Sequence, residues 1–207
     1  MFIQNSSKAL LTMNHTSKKL VMISMPFENK NKRQENFFDT CSHCKTGWSC
    51  CLGTRPPISA DRRSIIEAFL KKNKIAVENA FVQEEYVFPR EQPDGYCVFR
   101  NGKTGKCVIH SVKPETCVAG PVTFDINVRG GKIEWFLKFE TLCPLAGVVG
   151  KNKAILKRHL ASAKKEVLRL VDELDAGALK AILKKDEPET FKFDEDNVSK
   201  SVLDKLR

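Results

Sequence analysis

No stretch of this 207-residue chain approaches the ~18 consecutive apolar residues that a membrane-spanning helix needs. A secretory signal is missing too. The apolar runs of the basic N-terminus, Ala9 to Leu11 and Leu20 to Ile23, are short and interrupted, whereas a signal needs ~7–15 continuous apolar residues before its cleavage site. Both absences point to the cytoplasm, where thiols stay reduced and disulfide frameworks are not expected. There is no Walker loop, no G-x-G-x-x-G after a strand and no C-x3-C-x2-C radical-SAM run. Gly102-Lys103-Thr104-Gly105 has the wrong glycine spacing for a phosphate loop and reads as a turn.

Cysteine is also missing from residues 1–40 and 144–207, although the chain has eight. Cysteines that only fill a core would fall anywhere. Here four lie between Cys41 and Cys51, and Cys97, Cys107, Cys117 and Cys143 follow. A catalytic thiol would need one activated cysteine, so nucleophilic catalysis does not explain this pattern. The net charge of +10 does not single out nucleic acid, because the lysines are interleaved with acidic residues and no binding motif accompanies them.

Residues 1–36, rich in Ser, Asn, Lys and Gln, read as a disordered leader or a start-site extension, with Met13, Met22 and Met25 as alternative starts. Residues 37–147 should form a small, irregular α+β domain stapled by metal. Residues 148–207 should add an amphipathic helical arm and a charged tail. Ser59 is a good N-cap, and Ile65, Ile66, Phe69 and Leu70 predict a helix over 60–73. A short helical or extended piece is expected over 77–82. The segments 96–99 and 106–109 should pair as a small hairpin with a cysteine on each arm.

A second hairpin is the clearest strand signal. Val122, Phe124, Ile126 and Val128 alternate, Arg129-Gly130-Gly131-Lys132 turns the chain, and Ile133, Trp135, Leu137 and Phe139 alternate back. Leu156, Leu160, Ala163, Val167, Leu170 and Leu174 form the seam of a helix that packs back onto the cysteine domain. Gly177 is expected to break it before a shorter piece over 178–184. The last twenty residues read as charged and frayed, with Phe191, Phe193 and Val202 able to dock.

Cys41-Ser42-His43-Cys44 is a C-x2-C loop, a spacing that lets two thiolates reach one metal from a tight turn. Adjacent side chains of an extended segment point to opposite sides, so Cys50 and Cys51 are expected to play different roles. No second C-x2-C exists for a paired zinc knuckle, and neither ferredoxin spacing is present. Four thiolates on one Zn2+ carry net charge −2, as does an oxidised four-iron cluster with its four ligands. Lys45, Arg55, Lys106 and Lys113 could steady either. His43 and His110 suit hydrogen bonding around the ligands, with His15 and His159 at the surface. Trp48 and Trp135 should shield the centre.

The cluster ending in Cys50-Cys51, then Cys97-Val98-Phe99, Cys107-Val108-Ile109-His110 and Lys113-Pro114-Glu115-Thr116-Cys117 resembles the YkgJ-type cysteine-cluster proteins. These are described as zinc- or iron-chelating and often labelled iron–sulfur oxidoreductases. Two departures stand out: five residues rather than two precede Cys50, and Lys113 replaces the usual arginine. The resemblance runs from Cys41 to Cys117 and implies metal binding by the cysteines and no established reaction. The expected ligands are Cys41, Cys44, Cys50, Cys51, Cys97, Cys107 and Cys117, with Cys143 added by clustering and its neighbour Pro144. The leading expectation is an iron–sulfur protein, with a 4Fe-4S cluster, in electron transfer or in support of a partner oxidoreductase. The alternative is a non-redox zinc module that scaffolds a protein or nucleic-acid partner. The motif also resembles one in bacterial flagellin lysine methylases, although no segment for a methyl-transfer cofactor is visible.

Overall fold

Ser59 starts the first helix, α1 (Ala60–Lys72), by accepting a hydrogen bond on its hydroxyl from the Arg62 amide at 3.1 Å. The computed structural model describes residues 50–184 and 189–207, within one compact unit of Glu35–Arg207. The proposed leader, Cys41, His43, Cys44, Lys45 and Trp48 therefore lie outside the described residues, as does His15.

Two short strands follow α1, β1 (Phe81–Gln83) and β2 (Val87–Pro89), paired antiparallel. Of the piece expected over 77–82, only its end is extended, and the residues before Phe81 form turns. A 3-10 turn (His110–Val112) leads into α2 (Glu115–Ala119), which ends at the cis Gly120–Pro121 peptide. Strands β3 (Val122–Asn127) and β4 (Lys132–Lys138) form the expected hairpin, pairing Val122 with Leu137 and Ile126 with Ile133. Gly131 takes φ +64° in its turn, a conformation L side chains rarely adopt.

The remaining elements are α3 (Pro144–Gly150), α4 (Lys153–Glu173), α5 (Ala176–Leu183), β5 (Thr190–Asn197) and α6 (Lys200–Leu206). Strand β5 pairs antiparallel with β4, giving the sheet order β3-β4-β5. The chain is thus α+β. Its C-terminal segment is not frayed: β5 completes the sheet and Val202 is buried. The long helix stops at Glu173 rather than at Gly177. Leu174 turns extended, and Asp175 caps α5 by accepting from the Ala178 amide at 2.8 Å. Lys205 closes the other end of the turn by donating to the carbonyls of Asp172 (2.6 Å) and Leu174 (2.8 Å), a cation at a helix C-terminus.

Two cores result. The larger joins Val122, Ile126, Ile133, Trp135 and Leu137 of the sheet to Ala163, Val167, Leu170 and Val171 of α4. Among the described residues, the buried members of the smaller are Ile58, Ile66, Leu70, Phe99 and Ile109. It lies under the segment that carries Cys97 and Cys107.

Trp135 belongs to the larger core and is fully buried there, so it does not shield a metal centre as expected. Its position on β4 points the ring at α4, and its indole N–H donates to Asp196 at 2.6 Å. Lys164 reaches both Asp194 and Asp196 at 2.7 Å, tying α4 to β5. Burial acts to raise the Asp196 pKa, but hydrogen bonds from Lys164 and Trp135 outweigh it and hold the carboxyl below the ordinary aspartate value. A depressed acid stabilises the fold fully above its unfolded value of ~3.9, and that contribution is lost as pH falls through the folded value. Urea midpoints between pH 5 and 2 should therefore drop less steeply for Asp196→Asn than for the parent. Parallel curves would remove Asp196 from the account.

Candidate metal centre

Three loops and one short helix bring five cysteines into one electrostatic neighbourhood. The first is the turn at Cys50-Cys51. It is strapped to the second by backbone, with the Cys97 amide donating to the Cys51 carbonyl at 2.7 Å and Gly53 to Gly95 at 3.0 Å. A bridge between Leu52 and Tyr96 continues that pairing. Gln92 braces the second loop by donating to the carbonyls of Cys97 (2.9 Å) and Arg100 (3.2 Å).

The second and third loops repeat one device. The amide of Phe99 donates to the Cys97 sulfur, and the amide of Ile109 donates to the Cys107 sulfur. In both, the residue two positions after the cysteine is buried, Phe99 to 1% and Ile109 to 0% exposure. The apolar side chain anchors in the small core, and its own N–H is left aimed at sulfur. This explains the C-x-F and C-x-I spacing in physical terms, because N–H donors favour the thiolate form. The expected hairpin of paired arms is reduced to a single bridge, Arg100 with Cys107. Each arm has to turn at its cysteine, and a turn cannot continue a ladder.

Cys117 stands in the middle of α2. Burial pushes its thiol well above the usual range, and nearby Cys50, Cys97 and Cys107 add to the shift against Lys113. Burial also raises Cys97, to about 11, with Cys107 and Cys50 contributing, and it raises Cys107. Cys50 goes the other way. It accepts a hydrogen bond from Cys51, which with Lys113 and Lys138 outweighs burial and pulls it down to about 6. Cys51, the donor, is raised by the same bond, by burial and by the charges of Cys50, Cys117 and Cys97. The adjacent pair therefore faces one way, not two. Both residues lie in a turn rather than an extended segment, so the alternation expected of a strand does not apply.

Of the cations expected to steady the thiols, Lys113 acts on Cys50, Cys107 and Cys117. Arg55 is instead committed to Glu84 at 3.0 Å and Glu91 at 3.6 Å. Lys138, which follows the last inward residue of β4, was not anticipated. Burial and Lys113 lower the pKa of His110. Cys143 is placed differently from the five. It precedes Pro144 at the start of α3 and packs, half-buried, against the larger core.

Among the described residues, no three His, Cys, Asp or Glu side chains close into a group that could hold a metal ion. The five thiols are neighbours, not a finished coordination shell, and the C-x2-C pair lies outside the described residues. The donor chemistry still fits zinc or iron. The thiols are soft sulfur ligands, two of them receive N–H bonds, and two lysines offset the anionic charge. A cation bound among them would lower every raised thiol by its own charge and release their protons.

Behind Cys117 lies an ionic network that the sequence did not announce. Glu115 is fully buried, accepts from the Ser59 hydroxyl at 2.6 Å, and lies 3.8 Å from Arg62 Nε and 3.5 Å from an Arg169 terminal nitrogen. Glu166 pairs with Arg62 and with Arg169, the latter at 2.9 Å. Arg62 comes from α1, Glu115 from α2, and Glu166 and Arg169 from α4. His159 of α4, expected at the surface, is half-buried and donates from Nε2 to the Ala119 carbonyl at 2.8 Å. Nothing in the local sequence distinguishes Glu115 from an exposed acid in a first helical turn.

Among the described residues, no helix is long and apolar enough to cross a membrane. A family model, CxxCxxCC, described as "Putative zinc- or iron-chelating domain", matches residues 40–144. The uncharacterized protein MJ0661 of Methanocaldococcus jannaschii is 29% identical over 104 residues, covering 47% of this chain and 55% of the relative. The chain thus matches about half the length of that curated relative. No solved structure matches it.

Proposed function

Because the chain belongs to the CxxCxxCC family of zinc- or iron-chelating domains, we propose that Cys41, Cys44, Cys50, Cys51, Cys97, Cys107, Cys117 and Cys143 supply its ligands. We further propose that the centre is an iron–sulfur cluster of the 4Fe-4S type, serving electron transfer or a partner oxidoreductase. The observation that supports this reading is the gathering of five cysteines from three loops and helix α2, two of them receiving amide N–H bonds. Such a cluster would supply reversible one-electron chemistry. The protein's part is to supply the thiolates, with amide donors and Lys113 and Lys138 set against their charge.

Anaerobic purification followed by metal analysis and an absorption spectrum tests this directly. Iron with acid-labile sulfide and a visible absorption that bleaches on reduction are expected. Equimolar zinc in a colourless, oxygen-insensitive sample would assign the alternative, a non-redox scaffold module. Protein with neither metal would sink both.

A further inference from the structure

Helix α2 is only five residues long and carries Cys117 at its centre. So short a helix has little stability of its own, and its position must be imposed by what it touches. α4 touches both of its ends. At the N-terminal end Arg169 reaches Glu115, and Glu166 holds Arg62, which reaches Glu115 from the other side. At the C-terminal end His159 binds the Ala119 carbonyl. His159, Glu166 and Arg169 recur at intervals of seven and three along α4, which places them on one helical face.

The polar groups at the Glu115 end are costly to keep. Glu115 is fully buried, and its second oxygen has no hydrogen-bond partner, nor do the Nε atoms of Arg62 and Arg169. Apolar packing of similar volume would serve stability as well or better. What an ion network adds is a defined register between the elements that contribute to it. Here those elements are α1, α4 and the cysteine-bearing helix.

We infer that α4 acts as a clamp that sets the position of Cys117, with Glu115 and His159 as positioning residues at the two ends of α2. The inference rests on the metal-binding reading above. It makes the C-terminal arm part of the scaffold of the centre, although the arm carries no cysteine.

Glu115→Gln keeps the volume and the Ser59 hydrogen bond but gives up both ion pairs. His159→Leu removes the bond to Ala119, and Glu67→Gln, a surface change on α1, serves as control. Each full-length protein would be titrated anaerobically with Co2+, whose thiolate charge-transfer absorption reports the sulfur ligands. Both positioning variants should bind Co2+ about 10–100-fold more weakly, with part of that absorption lost, while the control matches the parent. In the proteins as purified, alkylation of Cys117, mapped by peptide mass spectrometry, should run about tenfold faster in both variants. Folded variants with parental affinity, spectrum and Cys117 reactivity would overturn the clamp. A parent that takes up no metal would overturn the metal-binding reading instead, and the alkylation rates would then decide the clamp alone: faster supports it, unchanged overturns it.

Discussion

Stripping the bound metal with a chelator should unfold the cysteine-bearing half of the protein and leave the sheet standing. The reason is the imbalance between the two cores. Among the described residues the smaller has five buried apolar side chains, and the larger has seventeen. A core of that size cannot by itself offset the entropy of ordering the loops above it, and small domains in this position depend on a metal or a disulfide. Structural zinc contributes on the order of 10 kcal/mol to folding in small metal-dependent domains, so the expected loss is large. Hydrogen exchange localises it. The amides of Asn101 and Val108, bonded to Lys106 and Phe99, should lose protection on chelation. Those of Ile133 and Leu137, paired inside the sheet, should keep it. Cys97→Ser and Cys107→Ser should reproduce the pattern without chelator. Equal loss in both regions, or none in either, would rule out a metal staple on the small core.

The sequence spoke most clearly where one physical rule acted alone. Alternation over 122–128 and 133–139 was enough for the β3–β4 hairpin, because one face of it is buried. The seam from Leu156 to Leu174 predicted α4 for the same reason. It spoke less clearly where a local rule yielded to tertiary structure. Thr190-Phe191-Lys192-Phe193 does alternate, but the flanking charges hid a strand whose pairing depends on β4, far earlier in the chain. At Cys97 and Cys107 the apolar neighbours suggested strands. Instead, Phe99 and Ile109 are drawn into the small core and the chain turns over each cysteine. Clustering and motif order drew attention to the cysteines, yet the hydrogen bond between Cys50 and Cys51 was not legible, since it depends on a turn. Glu115 was the least legible. A buried carboxylate is defined by Ser59, Arg62 and Arg169, and no pattern in the sequence links those positions.

Glu115→Ala is accordingly expected to be among the most destabilising single changes in the molecule, at about 3–5 kcal/mol. Three losses combine. The Ser59 hydroxyl, which also caps α1, loses its acceptor, and a cavity opens where the side chain was. Arg62, itself buried, loses one of its two acidic partners and keeps Glu166, which it shares with Arg169. Glu115→Gln should cost much less, because the amide keeps the volume and the Ser59 hydrogen bond. Burial is the strongest influence on Glu115 and raises its pKa in spite of Ser59, Arg62 and Arg169. A raised acid favours its protonated form in the folded state. Parental stability should therefore fall as pH rises from the unfolded value of ~4.3 through the folded one. The neutral amide lacks that window, so the gap between parent and Glu115→Gln should narrow as pH rises through it. Urea unfolding of the three proteins at pH 4 and pH 7 measures both effects. An alanine variant within about 1 kcal/mol of the parent would mean that the network is dispensable to the fold.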